Sequence, residues 1–152
     1  MNRFQAPPEG PVPNLFIIGA AKSGTTSLHN YLGLHPDVFM CHPKEPRFFV
    51  PEIEVYPKDR DWYLALFENA GNAKVIGEAS TDYTKRPIHE GVAERIATFS
   101  PGAHMIYLMR DPIERAISHY WHLVKQCAEQ RPILEAIRQR PAYKWWGEYA
   151  FQ

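Results

Sequence analysis

The sequence predicts an α/β fold built on a central, largely parallel sheet. Short apolar runs end at glycine or at polar loops. Amphipathic helical stretches lie between them, and the two kinds of segment alternate along most of the chain. The 152 residues suit one domain.

Leu15-Phe16-Ile17-Ile18 is an apolar run ending at Gly19 and reads as a buried strand. A loop from Gly19 to Gly24 leads into a helix that opens at Thr25 or Thr26. That helix carries Leu28, Tyr31 and Leu32 and ends at His35-Pro36. Val38 to Met40 is a short strand, and residues 41–61 read as loop with four spread prolines, Pro43, Pro46, Pro51 and Pro57. A short helix is expected over Asp61 to Phe67 and a strand over Lys74 to Gly77, leading into Glu78-Ala79-Ser80-Thr81. Pro87 to Phe99 reads as a helix with Ile88, Val92, Ile96 and Phe99 on one stripe, and His104 to Met109 as a buried strand.

The strongest helix starts at Asp111. Asp is a good N-cap, Pro112 suits the first helical position and Glu114 completes a capping-box-like pair. Ile113, Ala116, Ile117, Tyr120, Trp121 and Val124 form its expected apolar stripe. A weaker helix follows over Ile133 to Arg138, and Trp145 to Tyr149 reads as the start of another. The proline-rich stretch 1–13 is expected to be a flexible lead-in to one domain over 14–152.

Composition narrows the function. Seventeen basic residues balance seventeen acidic ones, which removes the bulk electrostatic case for coating nucleic acid or an anionic membrane. A local basic pocket for a small anion stays open. Two cysteines, Cys41 and Cys127, are too few for a disulfide framework or a four-thiolate zinc site. No membrane span or secretory signal is legible, so a cytoplasmic location is expected.

In such folds ligands sit at the carboxyl ends of strands, so the loops after Ile18 and Met109 matter most. The first, Gly19-Ala20-Ala21-Lys22-Ser23-Gly24-Thr25-Thr26, joins a buried strand to a helix start. Backbone amides, the helix dipole, Lys22 and several hydroxyls then converge on one spot, as phosphate or sulfate binding requires. It is not a Walker A loop, because no Lys precedes Thr25, and that weakens a P-loop kinase reading. In the second, Arg110 ends a strand and Ser118 lies eight residues on, opposite the apolar stripe, with Arg115 on the same polar side. Arg offers a planar fork of donors to phosphate. Two anion sites at one sheet edge point to a ligand with two spaced anionic groups.

These segments resemble the sulfotransferases. Phe16 to Leu28 is similar to their phosphosulfate-binding loop, and Tyr107 to Ser118 to their 3′-phosphate motif. Lys44-Glu45-Pro46-Arg47-Phe48-Phe49 resembles a segment of many bacterial members, and Asp61-Trp62-Tyr63 and Gly77-Glu78-Ala79-Ser80 are similar to the heparan-sulfate-type branch. The resemblance implies a P-loop-like three-layer fold, with this chain its N-terminal part, truncated at the C-terminal side. It implies 3′-phosphoadenosine 5′-phosphosulfate (PAPS) as donor, a small-molecule or carbohydrate acceptor, and no metal. Carried over, residues 21–26 (Ala21, Lys22, Ser23, Gly24, Thr25, Thr26) hold the 5′-phosphosulfate, and Arg110 and Ser118 hold the 3′-phosphate.

Lys22 stabilises the leaving oxygen and Glu45 is the general base, its pKa expected to rise beside Pro46, Phe48 and Phe49. His42 is the alternative base. Trp62, Tyr63, Tyr83 and Phe49 are candidates for an aromatic acceptor pocket or for core. Ala79 stands where the heparan-sulfate branch carries Lys, which argues against an anionic polysaccharide acceptor. A second function class stays open, a remnant that binds the nucleotide without turnover.

Overall fold

The computed structural model describes residues 3–5, 10–53 and 59–152. Part of the expected lead-in, residues 1, 2 and 6–9, and residues 54–58 of the expected loop lie outside the described residues. Four parallel strands form one sheet: β1 (Leu15–Gly19), β2 (Val38–Met40), β3 (Val75–Ala79) and β4 (His104–Tyr107), in the order β2-β3-β1-β4. The helices are α1 (Thr25–Leu32), α2 (Arg60–Ala65), α3 (Val92–Phe99), α4 (Pro112–Lys125), α5 (Ile133–Gln139) and α6 (Ala142–Trp145), with 3-10 turns at Glu68–Ala70 and Thr81–Thr84.

The sheet separates two apolar layers, because successive side chains of each strand point to opposite faces. Leu15, Ile17, Met40 and Ala79 face Leu28 and Leu32 of α1. On the other face Phe16 joins Phe48, Phe49, Tyr63 of α2, Tyr83, and Val92, Ile96 and Phe99 of α3. Rings dominate that side: Phe48 stacks on Tyr63 at 4.1 Å and meets Phe99 edge-on at 5.6 Å. Helix–sheet–helix is the expected three-layer α/β arrangement. A separate cluster of Ala116, Tyr120, Ala136 and Tyr143 joins α4, α5 and α6.

Several elements differ from expectation for identifiable reasons. α3 starts at Val92 rather than Pro87, because Gly91 takes φ 67, a left-handed conformation that no helix continues through. β4 is an edge strand, not a buried one, with Met105 46% exposed. On α4 the buried face is Arg115, Ala116, His119 and Tyr120, whereas Ile113 and Trp121 are exposed. The expected stripe is rotated because the α6 segment lies against the Arg115 and His119 side, where Arg115 donates to the Tyr143 carbonyl and His119 stacks on Trp146. Arg115 is therefore fully buried rather than on a solvated face. The last helix is α6, upstream of the expected start at Trp145. Within the expected lead-in, Phe4 lies 5.6 Å from Phe48, and Val12 also packs against the core.

Tyr63, Tyr83 and Phe49 are core residues, which removes them as a lining for an acceptor pocket. Beside them lies a carboxylate, Glu78, fully buried and pushed up from 4.5 to about 7 by its burial. Between those two values the folded chain retains a proton that the unfolded chain has released. Stability must then fall as pH rises through that interval, by about 3 kcal/mol. Urea unfolding measured across it is expected to show this fall in the native chain and a flattened profile in Glu78→Gln.

Candidate active site

β1, β3 and β4 run parallel, so their carboxyl ends open on one edge. A cleft of about 730 Å³ lies there. Each strand supplies one wall.

The β1 wall is the loop from Gly19 to Gly24. A Cβ at Gly19 would fall 2.3 Å from Thr84 Oγ1 and 2.8 Å from the Tyr107 ring, so only glycine lets the loop leave the sheet here. Gly24 takes φ 92 at the N-cap of α1, and Lys22 takes φ 70 within the loop. Ala21, Lys22, Gly24, Thr25 and Thr26 all line the cleft at the amino end of α1. The amino end of the helix, positive by its dipole, therefore faces the cleft, an arrangement that suits an anion. Ser23 is not among the lining residues; its hydroxyl is buried with no hydrogen-bond partner among the described residues.

The β3 wall grips the loop that carries Glu45. The Glu45 amide donates to the Ala79 carbonyl at 2.9 Å. The Thr81 amide donates to Glu45 Oε2 at 2.9 Å and its hydroxyl to Oε1 at 3.3 Å. Lys44 pairs with Oε1, and Arg47 Nε lies 3.9 Å from Oε2. Glu45 is thus surrounded by donors, not by the apolar groups expected from its neighbours. Phe48 and Phe49 are spent in the core.

The β4 wall brings Arg110 and, two turns into α4, Ser118. Asp111 Oδ1 caps α4 by accepting from the Ile113 and Glu114 amides at 3.0 and 2.9 Å. The Tyr149 hydroxyl donates to the Arg110 carbonyl at 2.7 Å and accepts from its amide at 3.2 Å, which fixes the backbone of Arg110. The guanidinium reaches Glu114 at 3.2 Å on the exposed side.

Eight of the nine residues expected from the sequence therefore line one cleft: Ala21, Lys22, Gly24, Thr25, Thr26, Glu45, Arg110 and Ser118. His42 does not. Its exposed ring lies 5.3 Å from that of His29, in a separate cavity of about 340 Å³ behind α1.

Further lining residues were not singled out by sequence: Lys44, Arg47, Thr81, Lys85, His119, His122, Gln126 and Trp146 among them. His122 had a signal, since it follows Ser118 by four positions on one helix face. Lys85 and Trp146 had none. They are distant in sequence, and the fold brings the ammonium 4.3 Å from the indole ring.

The charges are unevenly compensated. Lys44 pairs with Glu45, whereas Arg47 and Lys85 both pair with the buried Asp82. Lys22 has no carboxylate partner among the described residues. Its pKa is lowered by partial burial and then by Lys125, Arg110 and Lys44. An anion placed beside it would relieve that repulsion. His119 is pushed down to about 3 by burial and by Arg115, Lys85, Arg140 and His122, so its ring is neutral and stacks on Trp146 at 4.7 Å.

A strand–loop–helix turn, an arginine following a parallel strand and a carboxylate thus share one cleft of an α/β fold. The model of the sulfotransferase family matches residues 13–150, and the chain belongs to that family. It is 38% identical over 112 residues to the membrane-associated sulfotransferase kil1 of Dictyostelium discoideum, covering 72% of this chain and 22% of that protein. It is 33% identical over 128 residues to the human bifunctional heparan sulfate N-deacetylase/N-sulfotransferase 1, covering 80% of this chain and 14% of that one. A crystal structure of a sulfotransferase from Alicyclobacillus acidocaldarius superposes with a TM-score of 0.79 at 34% identity, over 92% of this chain and 66% of that chain. The chain thus spans less than a quarter of these two curated relatives. Among the described residues no helix is long and apolar enough to cross a membrane.

His119 gives a direct check on the electrostatics of this cleft. Its ring-proton NMR shifts are expected to stay constant from about pH 5 to 8, where an ordinary histidine titrates. A midpoint near 6.5 would contradict the burial described.

Proposed function

We propose that the cleft transfers a sulfuryl group from PAPS to an acceptor hydroxyl or amine. The observation that carries this reading is the placement of two separate cationic anchors, Lys22 and Arg110, in one cleft with one carboxylate, Glu45. Lys22, free of a carboxylate partner among the described residues, and the amino end of α1 suit the 5′-phosphosulfate. Arg110 and Ser118 suit the 3′-phosphate. The buried Ser23 hydroxyl, without a partner among the described residues, is a spare donor within the same loop. When bound, the donor supplies an activated sulfur and a phosphate leaving group.

The protein's part follows from its charges. Glu45 accepts the acceptor's proton as the new bond to sulfur forms. Lys22 and the loop amides meet the negative charge that grows on the leaving phosphate oxygen as the old bond to sulfur breaks. Lys44, Arg47 and Thr81 hold the carboxylate in one orientation. Positioning and charge stabilisation do the work, as in phosphoryl transfer. The names of the curated relatives above refer to sulfuryl transfer, which supports the class; the N-sulfotransferase keeps amines beside hydroxyls among the acceptors to test.

Transfer of radiolabelled sulfate from PAPS to a panel of hydroxyl and amine acceptors tests the reading. Lys22→Ala is expected to lower the rate by about 10²–10³-fold and to leave the far-UV circular dichroism unchanged. A native rate in that variant would overturn the role of Lys22. Nucleotide binding with no transfer to any acceptor would favour a binding remnant.

A further inference from the structure

Glu78 is a carboxylate in a ring-filled core. Its Oε1 accepts from the hydroxyls of Tyr63, at 2.8 Å, and Tyr83, at 2.7 Å, and its Oε2 accepts from Ser80 Oγ at 2.9 Å. Among the described residues, the groups that act most on its charge are these three hydroxyls and Glu45, none of them a cation. Burying a carboxylate on neutral hydroxyls is costly, so its position calls for a reason beyond stability.

Its contacts lead to the Glu45 loop. Ser80 Oγ, which donates to Glu78, accepts in turn from the Arg47 amide at 3.0 Å. The residues on either side of Ser80 hold Glu45: Ala79 by the backbone and Thr81 by the carboxylate. Three consecutive residues leaving β3 thus fasten the loop. The loop needs fastening, because Glu45 and Arg47 take φ 64 and 54, left-handed values that side-chain-bearing residues adopt only when neighbours hold them there.

We propose that Glu78 is a positioning residue for the Glu45 loop, acting through Ser80 on the Arg47 amide and so coupling the aim of Glu45 to its own protonation. The proposal rests on the reading of Glu45 as the base. In the ionised form each acceptor oxygen is met by hydroxyls, and the charge polarises the Ser80 hydroxyl so that its oxygen holds the Arg47 amide more strongly. In the protonated form the proton goes to Oε2, because Oε1 already receives two hydroxyls. Ser80 Oγ then receives the carboxylic O–H as well as the Arg47 amide, and its own proton no longer bonds the Glu78 carboxylate. The grip on Arg47 weakens.

The balance falls near neutrality, since burial pushes Glu78 up to about 7. The other groups facing it are Tyr63 from α2, Tyr83 from the 3-10 turn, and Cys41 after β2. All three are pushed up by burial and by Glu78, so they stay protonated while Glu78 titrates. Glu45 is the remaining charge beside it.

Amide NMR and transfer kinetics of the full chain test the linkage together. In the native chain the Arg47 amide shift is expected to titrate with a midpoint near 7, and kcat to show an acid limb at the same pH. In Glu78→Gln both are expected to vanish, with kcat lowered by about tenfold and the donor KM unchanged. In Ser80→Ala, a second route that leaves Glu78 in place, the Tyr63 ring still reports the titration while the Arg47 amide no longer does. Persistence of the Arg47 titration in Glu78→Gln overturns the proposal. A native chain that shows the titration but transfers to no acceptor supports the linkage and overturns the sulfuryl-transfer reading. A chain that transfers with neither an acid limb nor an Arg47 titration overturns the linkage alone.

Discussion

The parallel pairing of β1 with β3 on one side and β4 on the other is the constraint on which the rest depends. Parallel strands place their carboxyl ends at one edge, and in register, Phe16 opposite Glu78 and Met105. The phosphate-type loop, the residues that hold Glu45, and Arg110 are therefore delivered to the same opening. An antiparallel β3 or β4 would carry its functional residues to the opposite edge of the sheet. The hydrogen bonds between Ala20 and Leu108, and between Leu108 and Gly19, continue the β1–β4 contact past the strands and into the cleft wall.

Within that frame the cleft separates two kinds of cation. Lys44, Arg47 and Lys85 are tied to Glu45 and Asp82, where they orient carboxylates and the loop between them. Lys22 lacks such a tie among the described residues, and Arg110 has only a half-exposed pair with Glu114. Exposed pairs of this kind contribute little and are readily exchanged. The cations left available are thus those at the two ends of the proposed ligand. Zero net charge over the chain conceals this local excess.

Much of this was legible in the sequence because local chemistry decides it. The β1 run, the Gly19–Gly24 loop and the Asp111 cap each follow from a few adjacent residues, and each forms where expected. What was not legible depended on tertiary contact. The inward face of α4 is set by α6, which turns the amphipathic Arg115 and His119 inward and leaves Ile113 and Trp121 outside. Phe48 and Phe49 do not surround Glu45 as expected, because adjacency in sequence is not adjacency in space: they turn into the core while Thr81, far along the chain, reaches the carboxylate. His42 and Glu45 could not be separated by spacing, since only the fold sends one into the cleft and the other behind α1.

The central claim is that the cleft holds two spaced anionic groups, one at each end. Calorimetry of adenosine 3′,5′-bisphosphate and of adenosine 5′-monophosphate, each with the native chain, Lys22→Ala and Arg110→Ala, tests it most directly. Lys22→Ala is predicted to weaken both ligands. Arg110→Ala is predicted to weaken the bisphosphate by about 10- to 100-fold, as loss of a charge-assisted hydrogen bond implies, and to leave the monophosphate unchanged. Equal weakening of both ligands by Arg110→Ala, or of neither, would contradict the two-site account.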